Sequence, residues 1–467
     1  MDEGADPAAE KAEKRRRAQE ARSLAEQARE AAGQGDDEGA ERLFHAAAAL
    51  GKMSALGEWC RIALKRGEFA RALETFERFA GCGEAWVAAT GQHLTYEALR
   101  VGHAGALDAM LERLVSSESS RDVARPLLLL TRNSASRFDA ETVALAHEEL
   151  ASPLPHAKGF PNALAIALRR CRDAGEGEAM LRQLLARDLG DLRSVIEEHL
   201  AVSLAGQGRI TDLIELTRTS PSLRSALGKG FLPSAIAVAA EPCLAEAGEV
   251  EAAREIVNFS ESMTATGAQL LARLGDAQSI AIVGNGSSGI GQGAGDAIDS
   301  RQMVIRFNNF RIEGFEADYG SRTDLIVRRR EDDPSLDTPL RPGLPVLFSG
   351  LGMPFGNRDW SLPRRIAAQG IPVGFLPAEP LVELVEVLEA VPTAGLSMVW
   401  LTAAIRGAVS RNELFGFTLA PHARLPLIDH YYGAPILCTR HAYDREMQLL
   451  NVLVDGLVRP SRWTPAA

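Results

Sequence analysis

The chain has 467 residues and a formal net charge of −11, with 46% hydrophobic and 24% charged residues. That length exceeds a single core and points to two or three globular domains, and the acidic balance argues against nucleic acid as a partner. No apolar run reaches the ~18 residues that span a bilayer, and the five scattered cysteines, with no C-x-x-C pair, exclude a structural zinc site and a dense disulfide framework.

Residues 1–30 are rich in Ala, Glu, Arg and Lys, with "EKAEKRRR" at 10–17. They read as a charged helix or tail without the apolar centre of a secretion signal. The cytoplasm is therefore the expected compartment, and the cysteines are expected to be reduced.

Residues 31–275 repeat one phrase. It stands as "GDDEGAERLF" at 35, "GEFARALETF" at 67, "GHAGALDAML" at 102 and "FDAETVALAH" at 138. It returns as "GEGEAMLRQL" at 175, "GRITDLIELT" at 208 and "GEVEAAREIV" at 248. Each copy has a turn residue, a polar helix start, then apolar residues at helical spacing. A period near 34 residues predicts two helices per unit, stacked as a helical-repeat solenoid. "WCRIALKRGEFARALETFERF" (59–79) resembles the tetratricopeptide family best. Such units bury their apolar faces against neighbours and leave an extended groove. Both a stabilising scaffold and a docking surface for a protein partner or acceptor are open.

From 276 to 467 the period changes. Strands are expected at "SIAIVG" (279–284), "MVIRFN" (303–308), "DLIVRR" (324–329), "PVLFSG" (345–350), "PVGFLP" (372–377) and "NELFGF" (412–417). Helices are expected at 361–370, 379–391, 395–409 and about 441–458. The whole is then α plus α/β: a helical-repeat region followed by an open sheet with helices on both faces. Ligands of such sheets lie beyond the carboxyl ends of the strands, so the loops after "AIVG", "VIRF" and "LFGF" are the places to search.

The first of these loops, "GNGSSGIG" (284–291), contains G-x-G-x-x-G. A dinucleotide site would also need an acidic residue after the second strand, and the short-chain dehydrogenases add a Tyr-x-x-x-Lys pair. The second strand ends in "FNN", and no lysine follows Lys229. An NAD-dependent dehydrogenase is the weaker reading.

Read whole, "IAIVGNGSSGIGQGAGDAIDSRQMVIRFNNFRIEGFEADYGSRTDLIV" (280–327) resembles the large motif of the eukaryotic-type sialyltransferases, glycosyltransferase family 29. "VPTAGLSMVWLTAAIRGAVSRNELFGF" (391–417) is similar to the family's small motif, "HYY" (430–432) to its third, and His441 with Glu446 to its last. The resemblance implies a Rossmann-like domain of modified GT-A type. It also implies transfer of an acid sugar from its CMP ester to an acceptor hydroxyl, with inversion and without metal or cofactor. Gly284, Asn285, Gly286, Ser287, Asn308, Thr393, Gly395 and Tyr431 fall at donor-side positions, with Arg306 and Glu446 in support. Asn285 and Asn308 carry amides that both donate and accept. The glycines expose backbone donors, and the helix starting near Gly395 would face an anion. His430 takes the place that contacts the leaving phosphate. His441 takes that of the general base, for which an imidazole pKa of about 6.5 is suited.

The sequence also departs from the family. Ile280 and Val409 stand where the family's cross-linking cysteines would be, and Ala394 replaces a hydroxyl residue. "EDD" (331–333) reads as a solvated turn rather than a metal site, and no metal ligand set is expected. Arg328, Arg329 and Arg330 would either attract an anionic donor or form a solvated edge. The expected partners are a CMP-sugar, carrying sialic acid or a related ulosonic acid such as Kdo, and a glycan or protein acceptor docked on the repeats. A nucleotide-binding adaptor without catalysis, working through its repeats, is the alternative.

Overall fold

The computed structural model describes residues 7–82, 85–101, 103–134, 139–151, 176–187, 190, 192–329, 340–350, 354–356, 359–417, 427–428, 430–432, 436–437 and 443–465. Two compact units divide the chain. The first is Met1–Ile166 with Arg424–Pro426; the second is Ala167–Ala423 with Leu427–Ala467. The boundary expected at 275/276 therefore falls inside the second unit.

The described part of the first unit is helical. The repeated phrases mark helix starts, at Asp37, Phe69, Ala104 and Ala140 here, and at Glu176, Ile210 and Ala247 in the second unit. Glycine sets the breaks before several of these starts: Gly35, Gly67 and Gly208 adopt φ of +85°, +79° and +68°. An L side chain would be strained there. Successive helices pack on one another, and Ser54–Lys65 also meets Ala85–Val101, which in turn meets Arg121–Ser134. Of residues 1–30, read as a charged helix or tail, those described belong to the helix Pro7–Gln34. Residues 11–17 are exposed, but Ala21, Ala25 and Ala28 are buried. Small side chains spaced by one turn let that helix approach Asp37–Ala49 closely.

In the second unit, helices between Glu176 and Asp276 precede a six-stranded parallel sheet. Its strands are β1 (Ile280–Val283), β2 (Met303–Phe307), β3 (Leu325–Arg329), β4 (Val346–Ser349), β5 (Val373–Phe375) and β6 (Leu414–Phe415). Each expected strand is present. So are the expected helices, as Ser361–Ala367, Ala378–Leu388, Ala394–Arg406 and Tyr443–Val454. The spatial order is β5-β4-β3-β2-β1-β6. The chain walks outward from β1 to β5, then returns to place β6 on the other side of β1. That reversal is the switch point at which open parallel sheets form a crevice.

The sheet is buried on both faces, as a parallel sheet requires. On one face Ile280, Ile282, Ile305, Val327 and Leu347 pack with Leu384, Trp400 and Leu450. On the other, Ile326, Val346 and Phe348 pack with Val238, Val250 and Trp360. The long helix Ala247–Asp276 supplies side chains to both cores. It crosses β5 so closely that a Cβ at Gly267 would lie 2.6 Å from the Phe375 carbonyl oxygen. Ile280 and Val409, at the cysteine places, share the first core, so apolar packing spans what a cross-link would otherwise join. Among the described residues no helix is long and apolar enough to cross a membrane.

Candidate functional site

The carboxyl ends of β1 and β6 meet backbone to backbone. The Gly284 N–H donates to the Phe415 carbonyl at 2.7 Å, and the Gly286 N–H to that of Gly416 at 3.0 Å. A Cβ at Gly284 would stand 2.8 Å from the Gly416 oxygen and 3.2 Å from the Phe417 ring. A Cβ at Gly395 would meet the same ring at 3.0 Å. One aromatic side chain thus fills the space that the glycines of the large and small motifs leave, and Phe417 carried no sequence signal beyond its neighbours.

The third motif closes on the same turn. Gly286 and His430 form an isolated antiparallel bridge, and the Tyr431 N–H donates to the Asn285 carbonyl at 3.1 Å. The Asn285 amide donates to the Phe307 carbonyl at the end of β2 (3.0 Å) and lies 3.4 Å from the Tyr432 hydroxyl. The rings of His430 and Tyr432 are 5.1 Å apart. Gly284, Asn285, Gly286, Ser287 and His430 are therefore gathered at one rim of the sheet. His441 lies outside the described residues, as do Arg330 and residues 331–333.

Asn308 follows β2 with φ +49°, one of two described non-glycine residues in the left-handed region. Its side-chain oxygen accepts from the Arg329 N–H at 3.0 Å. Strain of this kind persists only where the surroundings hold it, and it clusters at binding sites. Arg306 on β2 is fully buried. Its guanidinium donates to the carbonyls of Arg322 (3.0 Å) and Tyr319 (2.7 Å) and to the Thr323 hydroxyl (3.0 Å), while one terminal nitrogen finds no partner among the described residues. Burial lowers its pKa, against the pull of Tyr431 and Asp299. Arg328 is likewise buried, donating to Asn309 at 3.3 Å; a solvated edge is not what it forms.

Thr393 caps the helix Ala394–Arg406, its hydroxyl accepting from the Leu396 N–H at 3.2 Å. Its own N–H and hydroxyl donate to the two carboxyl oxygens of Glu446, at 2.8 and 2.6 Å. Burial raises the Glu446 pKa to about 8 against those two bonds. The helix start expected to face an anion is thus met, in part, by a carboxyl group of the protein itself.

The same holds for the glycine run. Its exposed amides were expected to cradle the ligand, yet the Asp318 carboxylate accepts from the Gly291 and Gly293 N–H groups, at 2.8 Å each. These bonds hold the Asp318 carboxyl below its usual range. The Tyr319 hydroxyl accepts from the Gly289 N–H at 3.1 Å and donates to the Gly286 carbonyl at 2.6 Å. The helix after the run, Gly295–Asp299, has only five residues. A pyrophosphate would find neither free amides at 291 and 293 nor a long helix behind them, which weighs against a dinucleotide. Asp318 and Tyr319 escaped sequence reading because their partners lie about one strand away.

Tyr431 is buried and stacks on Tyr319, with ring centroids 3.9 Å apart and planes at 19°. Its hydroxyl donates to the Arg311 carbonyl at 2.5 Å. Burial raises its pKa, opposed by the Arg311 N–H and by Arg306. Among the described residues no cluster of three or more His, Cys, Asp or Glu could hold a metal.

Residues 252–331 match the model of glycosyltransferase family 29 (sialyltransferase). The matched stretch starts inside the long helix Ala247–Asp276 and runs past β3, so it takes in both the glycine run and its Asp318–Tyr319 partners. A 45-residue segment is 49% identical to "Sialyltransferase-like protein 2" of Oryza sativa subsp. indica. It covers 10% of this chain and 11% of that protein. No solved structure matches. The large-motif resemblance read from the sequence is therefore borne out over this segment.

Proposed function

We propose that the second unit is a sialyltransferase-type glycosyltransferase. It would move sialic acid, or a related ulosonic acid such as Kdo, from its CMP ester to an acceptor hydroxyl with inversion. The observation that carries this reading is the Gly286–His430 bridge. It sets the third motif against the first turn of a segment that matches the sialyltransferase family model.

In this reading the acceptor oxygen attacks the anomeric carbon as the bond to the cytidylate oxygen breaks, and the bonding pair leaves with the phosphate. The imidazole of His441 takes the acceptor's proton. His430 donates to the leaving phosphate, where charge grows in the transition state. Asn285 and Asn308, at the ends of β1 and β2, hold the nucleotide. Thr393, Gly395, Tyr431 and Arg306 shape the surrounding wall. A glycan or protein acceptor, presented by the helical repeats, completes the reaction.

The test is CMP release from CMP-Neu5Ac and from CMP-Kdo by the full-length protein and by His441→Ala. Release by the wild type that falls ~10²–10⁴-fold in the variant supports the base assignment. Equal, negligible rates in both overturn the transferase reading and favour a nucleotide-binding adaptor.

A further inference from the structure

Two consecutive residues hold the glycine run from outside. Tyr319 bridges Gly286 and Gly289 through one hydroxyl, and Asp318 bridges Gly291 and Gly293 through one carboxylate. Tyr319 is completely buried. Its ring sits in a slot that only glycine leaves open: a Cβ at Gly289 would stand 2.8 Å from its Cζ, and one at Gly416 2.9 Å from its Cε1. On its far face lies Tyr431, the neighbour of His430. One ring therefore touches the turn after β1, the turn after β6 and the third motif.

We propose that Asp318 and Tyr319 are positioning residues that staple these three segments into one rim. The glycine run then is not a phosphate cradle. Backbone amides in left-handed turns bind anions, and here Gly291 and Gly293, at φ +76° and +61°, already hold one, the Asp318 carboxylate. A donor phosphate competing for those amides would have to displace a carboxylate tethered beside them. The run instead fixes Asn285 and, through the Tyr319–Tyr431 stack, the bridge that carries His430. Two features point to a built device rather than incidental packing. Both hydrogen-bonding functions of the Tyr319 hydroxyl are used on the same turn. In addition, the Arg306 guanidinium donates to the Tyr319 carbonyl at 2.7 Å, fixing the backbone from which the ring projects.

The consequence for turnover rests on the transferase reading; the staple itself does not. The test uses the full-length protein with Tyr319→Phe and Tyr319→Leu, read by hydrogen exchange, CMP affinity and CMP-sugar turnover. Tyr319→Phe keeps the stack and loses both hydroxyl bonds. Exchange at Gly289 should rise about 10-fold, as expected for losing a buried hydrogen bond, with residues 430–432 unchanged. Where turnover is measurable, kcat should fall about 10-fold, with CMP affinity within about threefold of wild type. Tyr319→Leu also removes the stack, so exchange should rise at 430–432 as well, and kcat should fall at least about 100-fold. Wild-type protection at both places in both variants overturns the staple, as does a uniform rise across the second unit in Tyr319→Phe. Faster exchange confined to the turn, in a protein that releases no CMP from any donor, upholds the staple and sinks the transferase reading alone.

Discussion

Glu446 grips Thr393 by two hydrogen bonds, of 2.8 and 2.6 Å, and so ties the C-terminal helix Tyr443–Val454 to the cap of Ala394–Arg406. Burial lifts the Glu446 pKa from an ordinary 4.5 to about 8, which makes the folded protein bind a proton that the unfolded chain releases. Its contribution to stability is therefore complete below about pH 4.5 and is lost as pH rises through about 8. Thermal midpoints recorded from pH 5 to 9 should decline across this window. Glu446→Gln should flatten the decline, and a slope unchanged in that variant assigns the pH dependence to other groups.

His430 should matter for turnover more than for binding. On the proposed reaction its imidazole would face charge that appears only as the bond to phosphate breaks, and loss of one such donor costs ~10²–10³-fold in kcat. His430→Ala is expected to show that loss in CMP release, with CMP affinity by calorimetry changed by less than about fivefold. Parallel losses in both would make it a ground-state contact.

The close backbone approaches rank three glycines. Gly295→Ala would drive a Cβ onto the Glu316 carbonyl, and Gly284→Ala onto that of Gly416 at 2.8 Å. Gly395→Ala meets only the Phe417 ring at 3.0 Å, and a side chain can yield. Urea denaturation should place the costs in the order 295, 284, 395. The last should lie at the low end of the ~1–3 kcal/mol typical of overpacking.

Asn308 allows strain and side-chain function to be separated. Asn308→Gly and Asn308→Ala remove the same hydrogen bond to the Arg329 N–H, but only alanine keeps the penalty of φ +49°. The alanine variant should be less stable by about 1 kcal/mol. Both should lose CMP affinity to a similar extent, since both lack the amide. Equal stabilities would show that the backbone relaxes out of the left-handed region when the side chain goes.

The sheet was legible because its signals are local. Six short apolar runs bounded by Gly, Pro and Asp became six strands, and the loops after β1, β2 and β6 do meet at the switch point. The repeated phrases became helix starts for the same reason. Pairings across the fold were not legible. The glycine run, read alone, invites a phosphate; only the folded chain brings the Asp318 carboxylate to its amides. Arg328 reads as either an anion contact or a solvated edge, because charge is usually exposed, yet its place on β3, an inner strand, buries it. The seam expected at 275/276 lies inside the second unit, because periodicity reports what a segment is and not what it packs upon.

That seam has a practical side. A shortened chain beginning at residue 276, where the text changes character, would discard the helix that roofs β5. Leu347 and Ile282 would lose the company of Leu270, Leu271 and Leu274, each worth about 1.5–3 kcal/mol when buried. Such a fragment is expected to come out of the cell insoluble, whereas one that begins ahead of Glu176 keeps the roof on.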